Sequence, residues 1–455
     1  MDGGEIEALA QELDLLVEAL DEERFRHVAG IEPEPALGRL FAARPRVAHR
    51  ETLAALRASA EPGAAPLAQR VAALRAERAQ ADEEEAWRAA EAAASGLGPD
   101  GPARLAALEL ALPRESDPER RAALAAAAAE ALEPAAARRE AAAEQRAKAR
   151  AEGGLAPDWR AVVEGDQLLG ASDDAWRDVL AWAARRALGA APERGLARAD
   201  LLHVLALAEW DGLFRPALLA PAVKRTCDAL RLDAGALRVD EADRAAKWPG
   251  VHVVGARISY RRRGGAGDWQ DLLAGVGRAF AAKGAPPHRR DPVLAGAVAW
   301  ILGTLTLEPR WLAEHASVEK RHAGDLVRAL ALRRLSALRL DAAALRLATE
   351  VERGLSGAAW REGHREALTA ASGAVWDGAR ASRDADGPAL LARVQGAAEG
   401  ERLRRALRER YDEDWWRNPR SAGHLAGLLA AGRLPEADAP APPSEAARAL
   451  VAAMA

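Results

Sequence analysis

Nine histidines, one cysteine and a few glycine-rich turns are the residues of this chain best suited to chemistry. The histidines are His27, His49, His203, His252, His288, His315, His322, His364 and His424. None forms H-x-x-x-H or H-E-x-x-H, the spacing that sets two imidazoles on one helical face around zinc. Glu319 and His322 make an E-x-x-H pair, as in di-iron helical bundles, but such bundles need a second pair and two more carboxylates, and no second pair stands on a comparable apolar helix. A solvated helix face is the reading for that pair, and a surface pair the reading for Glu362 and His364. Cys227 is the single cysteine, so neither an intramolecular disulfide nor a cysteine-rich metal site is open to the chain. It lies in Lys224-Arg225-Thr226-Cys227, within a helical stretch and without a partner base, and reads as an inert, buried thiol. Ser95, Ser116 and Ser259 lack the G-x-S-x-G elbow of a serine nucleophile. Gly264, Gly265 and Gly267 fit neither a phosphate loop nor a dinucleotide fingerprint and read as a plain turn.

The elements around these residues are expected to be helices. Ala, Leu, Arg and Glu dominate, and against thirteen Trp there are only four Phe, two Tyr and two Met. Leu9, Leu13, Leu16 and Leu20 repeat at helical spacing, and Leu67, Val71 and Leu74 follow in a second helix. Residues 95–102 read as a break. The Ala-rich run 103–151 reads as a helical hairpin turning around Pro113 to Pro118, and its leucine spacing is too short-lived for a coiled coil. A second break at Glu152 to Pro157 divides an N-terminal helical region, 1–155, from a main helical domain, 156–434. Asp173-Asp174 reads as a helix start, with carboxylates at the positive end of the dipole. Trp415-Trp416 reads as core. The tail, 435–455, is Pro/Ala-rich and reads as peripheral. Strand character is confined to Val251 to Tyr260, and a small β-element is placed near 251–262, before an amphipathic helix that carries Trp269, Leu272, Leu273, Val276 and Phe280.

Composition excludes several partners. With 64 basic and 68 acidic residues, net charge −4, no global field draws nucleic acid or anionic membrane. Arg261-Arg262-Arg263 reads as a solvated strand end. No apolar run approaches the ~18 residues of a membrane span, and the acidic start Met1-Asp2-Gly3-Gly4-Glu5 lacks an apolar signal region. A cytoplasmic protein is expected, and the heavy Ala, Arg and Gly usage suggests a GC-rich bacterial source.

The strand, turn and helix order Ile258-Ser259-Tyr260-Arg261-Arg262-Arg263-Gly264-Gly265, then Asp268-Trp269-Gln270-Asp271-Leu272-Leu273, is similar to the lead-in to the active-site helix of thimet-oligopeptidase-like (oligopeptidase F-like) zinc metallopeptidases. The likeness continues through Asp291 to Leu312, Leu326 to Glu352, and Leu403 to Pro419, covering roughly residues 160–434. In that family the helix carries H-E-x-x-H, and a glutamate on a following helix completes the zinc site. Carried onto this chain, the resemblance puts the first zinc histidine at Ala274, the catalytic glutamate at Gly275, the second histidine at Arg278 and the third ligand at Gly296. The gap from Arg278 to Gly296 is shorter than the family's. Asp384-Ala385-Asp386-Gly387 matches a late turn, but the family's oxyanion-facing tyrosines fall at Leu390 and Val394.

Alanine and glycine offer zinc no donor, and a guanidinium cannot release a proton to bind a metal. The resemblance therefore implies a mainly α fold with a peptide-binding cleft, with no metal ligand, catalytic residue or cofactor. The expected function is that of a catalytically inactive homologue, a pseudopeptidase, whose vestigial cleft takes a peptide or a protein partner. Two alternatives stand beside it: a helical scaffold with a closed cleft, and an active metallopeptidase with relocated ligands.

Overall fold

The computed structural model describes residues 1–155, 159–189, 195–384, 386–435 and 439–455. Helix α1 (Gly3–Val28) opens on a capping box. Asp2 Oδ1 accepts from the Glu5 amide at 2.9 Å and Glu5 Oε2 accepts from the Asp2 amide at 3.0 Å. Leu9, Leu13, Leu16 and Leu20 are buried on one face, as their spacing predicts. Helices α2 (Ala64–Ala79) and α3 (Ala81–Ala93) follow. The expected break at 95–102 is a small antiparallel hairpin of β1 (Ser95–Gly98) and β2 (Gly101–Arg104). It packs so closely that a Cβ at Gly96 would run into the Ala127 carbonyl oxygen.

The Ala-rich run turns around Pro113 to Pro118 as expected, with unequal arms. A seven-residue helix at Leu105–Ala111 precedes α4 (Pro118–Glu152), 35 residues long and capped by Asp117. The chain continues through α5 (Trp159–Leu188) and α6 (Pro216–Ala229) to a three-stranded sheet. There β3 (Arg238–Asp240) runs parallel to β5 (Arg257–Arg261), and β4 (Gly250–Val254) pairs antiparallel with β5. Then come α7 (Gly265–Gly284), α8 (Pro292–Gly303), α9 (Lys320–Val351), α10 (Gly357–Ser372), α11 (Gly387–Tyr411), α12 (Pro419–Ala431) and α13 (Pro443–Met454). The architecture is mainly α with a small sheet beside α7, the expected fold class.

Two expectations are corrected. Asp173 and Asp174 lie inside α5 and do not begin it. Asp173 is engaged in a tertiary pair: Arg339 Nη2 donates to it at 2.6 Å, while the same buried guanidinium donates to the Ala371 carbonyl and Ser172 Oγ. The tail is not peripheral, because Ala446, Ala447, Leu450 and Met454 of α13 are buried in one cluster with α5, α9 and α11. The boundary expected at residues 156–157 lies outside the described residues. Among the described residues no single helix is long and apolar enough to cross a membrane.

The core holds α7 rigidly. Trp269 of α7 stands edge-on to Phe214 at 5.4 Å and to Trp311 at 6.2 Å, and the ring series continues through His315 to Trp416. Trp311 Nε1 donates to Thr226 Oγ1 at 3.0 Å. Trp415 and Trp416 are buried, as expected.

Candidate functional site

Helix α7 is launched by two glycines whose φ angles, 92° at Gly264 and 73° at Gly265, suit residues without a Cβ. The Asp268 carboxylate gathers the junction, accepting from the Gly264 amide at 2.7 Å, the Arg263 amide at 3.0 Å and the Tyr260 hydroxyl at 2.8 Å. Burial pushes the Asp268 carboxyl upward and the Tyr260 phenol well above its ordinary range.

From Gly265 to Ala282 all residues of α7 are buried except Asp271, Ala274, Arg278 and Ala282, which are half-buried. Their spacing of three or four places them on one stripe, the solvent-facing side of an otherwise enclosed helix. Ala274 and Arg278, the positions that the resemblance pairs with zinc histidines, stand in the middle of it. Gly275 faces the sheet: a Cβ there would meet Val251 Cγ1 at 2.7 Å and Val253 Cγ2 at 3.3 Å. Gly296 lies at the crossing of α8 and α11, where a Cβ would stand 2.5 Å from the Ala392 carbonyl oxygen and 2.9 Å from Gly396 Cα. Helix α8 also backs onto α7, since a Cβ on Gly277 would lie 2.5 Å from the Val298 carbonyl oxygen. The positions matched to the catalytic glutamate and the third ligand are thus both pressed against neighbouring chain. Leu390 and Val394, at the matched tyrosine positions, are buried in α11. Ala385 of the matched turn lies outside the described residues, and Asp386 Oδ1 accepts from the Ala389 amide at 3.3 Å at the start of α11.

The open stripe of α7 runs between two hollows. One, of about 260 Å³, includes Asp21, Arg70, Glu77, Arg278 and Arg290 and lies between the α1–α2 pair and the α7–α8 pair. The other, of about 210 Å³, includes Arg263, Asp271, Arg333 and Arg334. The Arg334 guanidinium reaches the middle of the stripe, for a Cβ on Gly303 would stand 3.0 Å from Arg334 Nη1 and 3.1 Å from Ala274 Cβ. Two acid–base pairs flank it. Arg333 donates to Asp271 at 2.9 and 2.6 Å, and Arg393 donates to Asp341 at 2.9 Å through each of two nitrogens. Asp271 is held below the usual carboxylate range; burial acts to raise it, and Arg333 chiefly overcomes that.

The wall made by the N-terminal region is also charged. Arg257 and Arg290 pair with Glu18, and Arg290 also with Asp21, seating α1 against the sheet and the 286–291 loop. Asp21 is pushed up to about 6, mainly by burial.

The histidines and the cysteine do not line either hollow, whereas Arg263, Gly264 and Gly267 line the second. His315 is stacked in the tryptophan series, His288 Nδ1 lies 2.8 Å from Asp14, and His203 Nδ1 lies 3.1 Å from the Pro113 carbonyl. His364 is buried, its ring 6.4 Å from that of Trp376, which corrects the reading of Glu362 and His364 as a surface pair. Glu319 precedes α9 and is exposed, and His322 lies against Trp210. Cys227 is buried, which raises its thiol to about 12. Arg261 and Arg262 pair with Asp243 and Glu241, and Arg263 donates to the Pro249 carbonyl at 2.9 Å. Among the described residues no three His, Cys, Asp or Glu side chains converge to hold a metal ion. Sequence reasoning missed Arg333 and Arg334. Their signal is a basic doublet between Leu332 and Leu335, in a helix whose flanking residues are all core.

No family model matches the sequence, and no curated protein matches it. Solved structures do match in fold. Pyrococcus furiosus carboxypeptidase superposes with a TM-score of 0.56 at 10% identity, covering 99% of both chains. The M32 carboxypeptidase from Deinococcus radiodurans R1 gives 0.56 at 13% identity, covering 98% of this chain and 99% of that one. A putative oligoendopeptidase F gives 0.53 at 14% identity, covering 99% and 95%. The chain has the large helical fold of these peptidases along almost its whole length.

Proposed function

We propose that this protein is a catalytically silent member of the metallopeptidase-like fold that binds, and does not cleave, a short peptide or peptide-like ligand in the groove along α7. The observation that carries this reading is the chemistry of the stripe and its supports. Ala274 and Arg278 occupy the solvent-facing side of the helix, and Gly275 and Gly296 are enclosed by Val251, Val253, Ala392 and Gly396. A zinc hydrolase needs neutral or anionic donors around the ion and a base for its water. Here the matched positions supply a methyl group, two hydrogens and a fixed cation.

The groove favours ligand binding over a filled scaffold. A hollow of about 260 Å³ lies just under the ~300 Å³ at which small-molecule sites begin, room for a small part of a peptide. The test is incubation of the purified chain with a mixed peptide library, with and without added zinc, followed by mass spectrometry of retained and released peptides. The expected result is retention of a subset of intact peptides and no new termini in either condition. New termini that require zinc would overturn the reading, and so would retention of no peptide.

A further inference from the structure

We propose that the groove binds an oxyanion, a carboxylate or a phosphoryl group, over Ala274 between the guanidinium groups of Arg278 and Arg334. The inference rests on the reading above that these positions hold no metal.

Placement supports it first. Arg278 follows Ala274 by one turn on the solvent-facing stripe of α7, and Arg334 comes from α9 to its neighbourhood, since a Cβ on Gly303 would lie 3.0 Å from Arg334 Nη1 and 3.1 Å from the Ala274 methyl. Two cationic forks from two helices therefore come to either side of a residue with no side chain beyond Cβ, Arg278 lining the first hollow and Arg334 the second. A zinc hydrolase built on this helix would hold a bound cation at that point; here the positive charge belongs to the protein itself, which reverses what it can hold.

The partners of these groups support it next. Among the described residues Arg278 has no hydrogen-bond partner, and it feels only the more distant charges of Arg393 and Asp341. Arg334 makes one long hydrogen bond, 3.4 Å to the Ala299 carbonyl, and lies over the Trp300 ring at 4.8 Å. The acids that act on them electrostatically, Asp341 and Asp271, are already committed to Arg393 and Arg333. Among the described residues Arg278 and Arg334 are thus left without an acid of their own. Both residues are half-buried, and burial, with neighbouring arginines adding to it, draws each guanidinium down to about 10. Uncompensated charge of this kind destabilises the unliganded protein, and an anion that bridges two forks removes the cost. Arginine rather than lysine suits carboxylates and phosphates alike, because a pair of their oxygens takes two parallel N–H donors from one fork.

The test uses the full chain. Inorganic phosphate and glutarate are titrated calorimetrically into the wild type, R278Q, R334Q, R278K and an exposed control, R310Q. Saturable binding of either anion is expected in wild type and R310Q, weakened at least tenfold in R278Q and R334Q and partly kept in R278K. The stronger of the two anions names the ligand's chemical class. Because Arg278 is unpaired, R278Q without anion is expected to unfold at or above the wild-type midpoint, so a loss of binding is not a loss of fold. No saturable binding of either anion, binding unchanged within twofold in R278Q and R334Q, or an R278Q midpoint well below the wild type would each overturn the assignment. These results leave the pseudopeptidase reading standing, since that reading fails separately, on zinc-dependent cleavage or on the absence of peptide retention.

Discussion

Substituting Gly396 by alanine tests the closure of the groove's rear wall. A Cβ at Gly396 would stand 2.6 Å from Gly296 Cα, 2.8 Å from the Gly296 carbonyl carbon and 3.1 Å from the Ala297 nitrogen. Carbon atoms in contact settle at about 3.5–4.0 Å, so α8 and α11 must part by about 1 Å at their crossing. All three obstructing atoms are helix backbone and cannot swing aside as a side chain would. Overpacking of this kind costs about 1–3 kcal/mol, offset by about 1 kcal/mol of helix propensity gained when glycine becomes alanine. The net expectation is a loss of up to about 2 kcal/mol. Gly427 in α12 supplies the internal control, because a Cβ there meets nothing within 4 Å. Gly427→Ala should gain about 1 kcal/mol by propensity alone. Guanidinium unfolding followed by circular dichroism should separate the two variants by about 1–3 kcal/mol, with Gly427→Ala the more stable. A Gly396→Ala protein as stable as the Gly427→Ala protein would refute the close helix crossing, and with it the argument that no carboxylate side chain fits at Gly296.

Asp21 predicts a pH dependence. Its carboxyl is raised from 3.8 to about 6, so between those values the folded chain binds more protons than the unfolded one. Its contribution therefore weakens stability as pH rises through that window, and the cost is fully present above about pH 6. Asp21→Asn should flatten this segment of the stability–pH curve and at pH 7 stabilise by up to about 3 kcal/mol; a steeper loss with rising pH in the variant would contradict this. Cys227, buried and raised to about 12, should react with a thiol reagent only on unfolding, and stoichiometric labelling of the folded protein within minutes would count against its placement. Leu450, buried in the cluster shared with α5, α9 and α11, should cost about 2–4 kcal/mol when changed to alanine. A change of less than about 0.5 kcal/mol would place α13 outside the core.

Much of the fold was legible because the signals were local. The leucine series of α1, the strand character of Val251 to Tyr260 and the amphipathic α7 all follow from periodicity, and each is found where expected. Signals failed where a residue's role depends on distant chain. Asp173 has the chemistry of a helix cap, but Arg339, 166 residues away, makes it a mid-helix ion-pair partner. The strands at Ser95–Gly98 and Gly101–Arg104 are glycine- and proline-containing and owe their pairing to packing against α4. The tail reads as peripheral because alanine is a weak marker of burial, yet Ala446 and Ala447 are fully enclosed.

The groove itself was only half legible. Resemblance located Ala274 and Arg278, and the burial pattern independently sets both on the solvent-facing stripe of α7. Arg334 could not be placed there from sequence, since its approach to Ala274 depends on how α9 crosses α7 and on the missing side chain at Gly303. The same holds for the glycines at 275, 296 and 396. In the sequence they are merely small, and in the fold they let strand and helices close on positions where a hydrolase would need carboxylates.

The central claim is that the chemistry of a zinc hydrolase is missing from this fold at α7, and metal stoichiometry tests it most directly. The purified full-length chain, dialysed first against excess zinc and then against zinc-free buffer, is assayed for bound metal per chain by elemental analysis. The account predicts retained zinc well below one equivalent, unchanged when Arg278 is replaced by glutamine. One zinc per chain that survives dialysis and is released by a chelator would contradict it.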